Sequence, residues 1–190
     1  FTENLYQAKK IKLLIKKQTK VFINYSRITD ISSKIIKKKL LNASYFIGKV
    51  FYSKSLINNC SHFINLFQFF FGKAISKKII FIKKSFLLNF KNAKIIFTQK
   101  NSNSSNNFLI KNKSFEINYR LNSNFIFIKY KKMKKKIISY NQNINFYVIK
   151  NIANFLSKKK YSLSDIESAI ETHKVLNMIN KSYNNEKKKF

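Results

Sequence analysis

One stretch, INNCSHFINLFQFFFGK from Ile57 to Lys73, limits what the rest of the chain can be. Phe63, Leu66, Phe67 and Phe70 recur at spacings of three and four, which places them on one face of a helix. Asn58 or Asn59 is a candidate N-cap, and Gly72 stands where a left-handed C-terminal glycine belongs. The spacing predicts a short buried helix. If it starts at Asn58 or Asn59, then Asn58, His62 and Asn65 lie near one another, because residues three and four apart share a face. Such a polar cluster has two readings: a core histidine satisfied by hydrogen bonds beside ordinary caps, or a functional group.

The flanking sequence predicts an α/β to α+β domain. Thr2 caps a first helix with Leu5, Ala8, Ile11 and Ile15 inward, ending near Thr19. VFINYSR, residues 21 to 27, reads as a strand ending at Arg27. Thr29 or Asp30 opens a helix with Ile31, Ile35 and Leu40 inward, and a strand follows through Phe46 to Tyr52, with Gly48 as a turn or bulge. After Gly72 come strand candidates at 75–82, 86–90 and 94–99, and NSNSSNN at 101–107 reads as a surface loop. In SFEINYRL, Phe115, Ile117, Tyr119 and Leu121 alternate with polar residues, the period of a sheet with one buried and one wet face. The segment 122–124 turns this strand into FIFIKY as a hairpin, and KYKKMKKK, 129–136, reads as a solvated strand end and loop. Two helices close the chain. One begins at Asn145 or Phe146 with Ile149, Ile152 and Leu156 inward. The other begins at Ser164, with Glu167 completing a capping box, and carries His173 as a partly exposed histidine.

Composition sets the outer bounds. The 190 residues, 45% of them hydrophobic, suffice for one sizeable core, and the longest apolar run is too short for the roughly 20 residues of a membrane span. The N-terminus lacks the order of a signal peptide, and the single cysteine excludes an internal disulfide framework and a multi-cysteine zinc site, so a reducing cytoplasm is the expected compartment. The formal charge of +32 points at first to nucleic acid. Nearly all of it is lysine spread through every segment alongside Asn, Ile, Phe and Tyr, all residues with A/T-rich codons. Charge of that origin says little about partners, and Arg27 and Arg120 are the only arginines to supply the fork that phosphate and base recognition exploit. No specific nucleic-acid partner is expected. The sequence has no glycine-rich phosphate loop, no Ser/His/Asp ordering, no paired carboxylates and no metal-spaced ligands.

Three stretches, in order, resemble the C-terminal portion of the Gfo/Idh/MocA family of NAD(P)-dependent oxidoreductases. FTENLYQAKKIKLLIKKQTKVFINYSR is similar to the helix, strand and strand-end arginine that follow that family's Glu-Lys-Pro motif. GKVFYSK with NNCSHFINLFQFFFGK is similar to its strand and its Asp-x-x-x-His-x-x-Asp helix ending in glycine. FYVIKNIANFLSKKKYSLSDIESAIETHKVLNMINKS is similar to its closing helices.

The resemblance implies an α+β fold, a large and mostly antiparallel sheet with helices packed on one face, preceded by the terminal helix and strand of a Rossmann domain. Residues 1–26 would be that Rossmann remnant and 27–190 the substrate-binding and oligomerisation domain. It also implies NAD or NADP as cofactor, bound mainly by an N-terminal half that these residues do not include, a sugar or nucleotide-sugar substrate, and a homo-oligomer formed through the sheet. His62 matches the family's acid/base histidine, a role that imidazole suits because its unperturbed pKa is about 6.5. Asn58 and Asn65 stand where the family has aspartates and would contact substrate, as would Arg27. An amide can orient a substrate or an imidazole but cannot take a proton. A truncated or degenerate member acting as a non-catalytic binding module is the alternative.

Overall fold

A computed structural model describes residues 4–41, 44–53, 55–76, 79–100, 106–120, 125–130, 134–138 and 144–187. Its frame is an eight-stranded sheet in the order β3-β4-β5-β2-β6-β7-β8-β9. The strands are β2 (Phe46–Tyr52), β3 (Ile80–Ile82), β4 (Ser85–Phe90), β5 (Ala93–Gln99), β6 (Asn107–Lys111), β7 (Phe115–Arg120), β8 (Phe125–Tyr130) and β9 (Lys134–Ile138). Only β2 and β5 run parallel; every other neighbouring pair is antiparallel. A second, two-stranded sheet pairs β1 (Phe22–Ile23) with β10 (Ser164–Asp165). The helices are α1 (Leu5–Leu14), α2 (Ile31–Leu40), α3 (Ser61–Phe71), α4 (Ile144–Leu156) and α5 (Ile166–Lys187). The α+β arrangement is the expected one.

Strand alternation explains the layers. Phe46, Val50 and Tyr52 on β2, Phe86, Leu88 and Phe90 on β4, Ile95 and Phe97 on β5, and Ile117 and Tyr119 on β7 are all buried, and form one core with α3. The ring of Phe67 on α3 lies 5.4 to 6.5 Å from those of Phe70, Phe71, Phe90, Phe97 and Phe108, so one side chain ties the helix to three strands. Gly72 ends α3 at φ +81°, as expected. Its ψ of −168° lies outside the left-handed helical region, in a conformation essentially restricted to glycine. Gly48 is neither turn nor bulge: the β2 register runs through it without a break. A Cβ there would stand 2.8 Å from Ile95 Cδ1 and 2.9 Å from the Leu109 carbonyl oxygen, so glycine lets the neighbouring strands close on β2.

Several elements depart from the sequence expectations. The first helix stops at Leu14 and is capped by Asn4, whose Oδ1 accepts from the Gln7 amide at 3.0 Å; Ile11 is exposed rather than inward, and Thr2 lies outside the described residues. The first strand is only two residues long, because Ser26–Ile28 form a 3₁₀ turn that contains Arg27. Ile36 rather than Ile35 is the deepest isoleucine of α2. Ile75 is exposed, and the strand expected from it begins at Ile80. The polar tract ends in a strand, β6, that alternation did not reveal, and part of the lysine run forms β9 against β8. Leu121, residues 122–124 and 101–105 lie outside the described residues. On α4, Ile149, Ile152 and Leu156 face outward and Asn151 faces in, held by the Tyr147 carbonyl, the Ser162 amide and Lys34 Nζ. Asp165, not Ser164, caps α5 through the Ser168 amide, and His173 is buried at 4% exposure.

Candidate functional site

The residues singled out in the sequence meet at the start of α3. Its first turn is irregular: Leu56–Cys60 form a π turn, N-capped by Ser55, whose hydroxyl accepts from the Asn58 amide at 3.1 Å. A π turn inserts extra backbone and rotates the residues before it relative to those after it. Asn58 is thereby exposed, and Asn59 turns toward the core, its Nδ2 donating to the Ser53 carbonyl at 2.9 Å. The Asn59 carbonyl in turn accepts from Arg27 Nη1 at 3.2 Å.

Arg27 is 8% exposed, its guanidinium 4.2 Å from the centroid of the Phe63 ring. Among the described residues no ion pair includes it. Burial lowers its pKa to about 10, which leaves it charged at neutral pH. His62 is half-buried and meets Tyr25 edge to face, centroids 5.2 Å apart. Burial, then the Arg27 charge, lower its pKa to about 4, so the imidazole is neutral near pH 7. Burial likewise pushes the Tyr25 phenol up to about 12.

Arg27, His62, Tyr25 and Asn59 are therefore gathered where the 3₁₀ turn meets the π turn. Asn65 is not among them. It is 1% exposed, and its Nδ2 reaches the hydroxyls of Ser164, Ser168 and Thr172 at 3.1 to 3.3 Å, tying α3 to α5. Sequence reasoning missed Tyr25 and the inward role of Asn59. Ser55, three residues before Asn58, is the capping signal that shifts the helix start upstream. Three clefts stand out among the described residues, of about 870, 720 and 370 Å³; His62, Asn58 and Arg27 line none of them, although Tyr25 lines the smallest. Among the described residues there is no group of three or more metal-ligating side chains, and no helix long and apolar enough to cross a membrane.

The fold is similar to that of solved oxidoreductases over about two thirds of their length. Particular solved structures carry this likeness. UDP-N-acetylglucosamine 3-dehydrogenase GnnA from Acidithiobacillus ferrooxidans superposes with a TM-score of 0.73 at 9% identity, over 96% of this chain and 67% of that one. KijD10, a 3-ketoreductase from Actinomadura kijaniata solved with TDP-benzene and NADP, gives 0.77 at 8% identity, over 95% and 67%. An oxidoreductase from Sinorhizobium meliloti gives 0.78 at 10% identity, over 97% and 68%. The chain thus spans about two thirds of the length of each. No protein-family model matches it, and no curated protein matches its sequence.

Proposed function

We propose that this chain is the substrate-binding half of an NAD(P)-dependent oxidoreductase acting on a hydroxyl of a sugar or nucleotide sugar, with His62 exchanging the hydroxyl proton. The observation that carries this reading is the match of nearly the whole chain to enzymes whose names specify nucleotide-sugar dehydrogenation and ketoreduction. On this reading residues 1–26 close a Rossmann domain and 27–190 form the substrate domain. The chain's own residues do not fit a dinucleotide site: Gly48 sits in mid-strand and Gly72 at a helix end, so neither can shape a phosphate-cradling loop. The cofactor would be held by the preceding Rossmann portion.

The residues gathered at the π turn support a proton-handling role. A neutral imidazole can accept a hydrogen bond from a substrate hydroxyl and take its proton. Arg27 stands near enough to lower the His62 pKa, and Asn58, exposed on the same turn, can orient a hydroxyl. Asn65, turned into the α3–α5 contact, would act on substrate only from the neighbouring cleft. We propose a homo-oligomer through the outer face of the sheet, where the register lines up Ile80, Leu87, Ile96, Lys49 and Leu109 in one row across five strands. None of these five is buried. A cytoplasmic location agrees with the single, fully buried cysteine, Cys60.

The second reading, a non-catalytic binding module, is favoured by the two amides at the aspartate positions and by the absence of His62 from the three clefts. Two measurements separate them. The reading frame upstream of Phe1 should encode a glycine-rich loop and a Glu-Lys-Pro. In the protein carrying that portion, His62→Ala should lower turnover by about 10² to 10⁴ with cofactor affinity nearly unchanged. Asn58→Asp should raise the His62 pKa by restoring a carboxylate on the same turn. Turnover that survives His62→Ala would leave the binding-module reading in place.

A further inference from the structure

Away from His62, the helical side of the sheet carries the cleft of about 870 Å³, bounded by α2, α3, segment 160–163 and the start of α5. That size lies within the range of small-molecule pockets, about 300 to 1,000 Å³. Lys34, Lys37, Lys38, Lys73 and Lys160 all line it. Its three carboxylates have partners already: Glu167 lies 3.1 Å from Lys12, Glu171 lies 2.7 Å from Lys174 and 3.5 Å from Lys73, and Asp165 caps α5. Among the described residues no ion pair includes Lys34, Lys37, Lys38 or Lys160. Lys34 and Lys37 are half-buried, and their ammonium groups contact neutral partners: Lys34 Nζ donates to Asn151 Oδ1 at 3.2 Å, and Lys37 Nζ lies 3.8 Å from the Phe69 ring centroid. Burial, then the like charge of Lys150, lowers the Lys34 pKa, with Asp30 acting in the opposite direction and Lys160 adding to the lowering.

Asn65 supplies an independent observation in the same cleft. Its Nδ2, with two hydrogens to donate, stands within 3.1 to 3.3 Å of three hydroxyls, yet its Oδ1 has no partner, the only fully buried side-chain polar atom so placed among the described residues. Gln68 and Ser168, which also line the cleft beside it, are only half-buried. A buried acceptor without a donor is unfavourable, as are half-buried ammonium groups without an ion pair. A neutral sugar would relieve the first alone, whereas a ligand that carries both an anionic group and a separate hydroxyl can reach the lysines and Asn65 together.

We propose that this cleft binds a small phosphorylated polyol, a sugar phosphate in its simplest form, with the phosphate held by Lys34, Lys37, Lys38 and Lys160 and a hydroxyl donated to Asn65 Oδ1. Lysine suits the first role as a compact point charge with three rotatable donors. The site shares Asn65 with the oxidoreductase reading but not His62, Asn58 or Arg27, so its test does not depend on turnover.

Titration of the full chain with ribose 5-phosphate, ribose and inorganic phosphate, by calorimetry and by ¹⁵N NMR, tests the assignment. Salt of about 150 mM screens diffuse attraction to so cationic a surface. Ribose 5-phosphate should bind saturably and at least about tenfold more tightly than inorganic phosphate, and should shift the Asn65 side-chain amide resonance. Lys34→Gln with Lys160→Gln should weaken binding about tenfold or more, whereas Lys94→Gln with Lys111→Gln, on the opposite face of the sheet, should leave it unchanged. Equal affinity for inorganic phosphate, or equal loss in the two double variants, would overturn the proposal in favour of unspecific charge.

Discussion

The ring of His62 stands edge-on to the ring of Tyr25, centroids 5.2 Å apart and planes at 86°. An imidazole so covered, and with Arg27 as the charge that acts on it, has lost water without gaining a carboxylate. Both effects favour the neutral ring.

Proton NMR titration should therefore find His62 near pKa 4, well below the ordinary value of 6.5. Arg27→Gln should move it upward. The same shift makes folding pH-dependent. Between the two values the unfolded chain binds more protons than the folded one, so the His62 contribution to stability is fully present above about 6.5 and declines as pH falls toward 4. An unshifted titration near 6.5 would show that the Tyr25 and Arg27 surroundings are wrong.

Phe67→Ala should be among the most damaging core substitutions. The side chain is fully buried among rings from β4, β5, β6 and α3 itself, and its removal leaves a cavity that a rigid sheet cannot close. A loss of about 3 to 5 kcal/mol in denaturant melts is expected. Phe146→Ala, on the exposed side of α4, should cost far less.

Gly48→Ala tests how closely the strands pack around β2. One of the atoms facing the added methyl, the Leu109 carbonyl oxygen at 2.9 Å, is backbone that is fixed in the sheet. Destabilisation of about 1 to 3 kcal/mol is expected by thermal or urea melts, against the gain that glycine-to-alanine usually brings to an ordinary strand.

Light scattering at micromolar concentration should show a dimer or larger species. Leu87→Lys with Ile96→Lys, a cross-strand pair on the outer face, should convert it to monomer without changing the far-ultraviolet circular dichroism. A monomeric parent chain would remove the sheet face as an interface.

How much of this was legible in the residues differs by element. The strand over residues 46–52, a helix opening at Thr29 or Asp30 and the β7–β8 pairing follow from alternation and capping chemistry alone, and the structure selects Asp30 as the cap. The orientation of α4 does not, because Phe146, Ile149, Ile152 and Leu156 and the opposite set Val148 and Phe155 are both apolar. What decides between them is a buried polar contact at Asn151, 117 residues from its partner Lys34. β9 escapes notice because a run of lysines at a sheet edge looks like a loop unless its neighbour is known. At the site, Asn58, His62 and Arg27 were named from sequence. The π turn that exposes Asn58 and brings Asn59 inward depends on Ser55 and on a carbonyl bond from Arg27, and neither has a period to read.

The place of β2 in the sheet also makes it the one link between two locally paired halves. β3 to β5 and β6 to β9 are each meanders of strands adjacent in sequence, able to zip up locally. The strand that unites them arrives from outside both: Val50 pairs with Phe97 on one side and Phe108 on the other, contacts that enclose long loops. Until β2 is seated, each meander presents an open edge on β5 or β6 with the apolar residues of a future core behind it. β2 is thus the strand whose removal would open two pairing edges at once to a second copy of this chain.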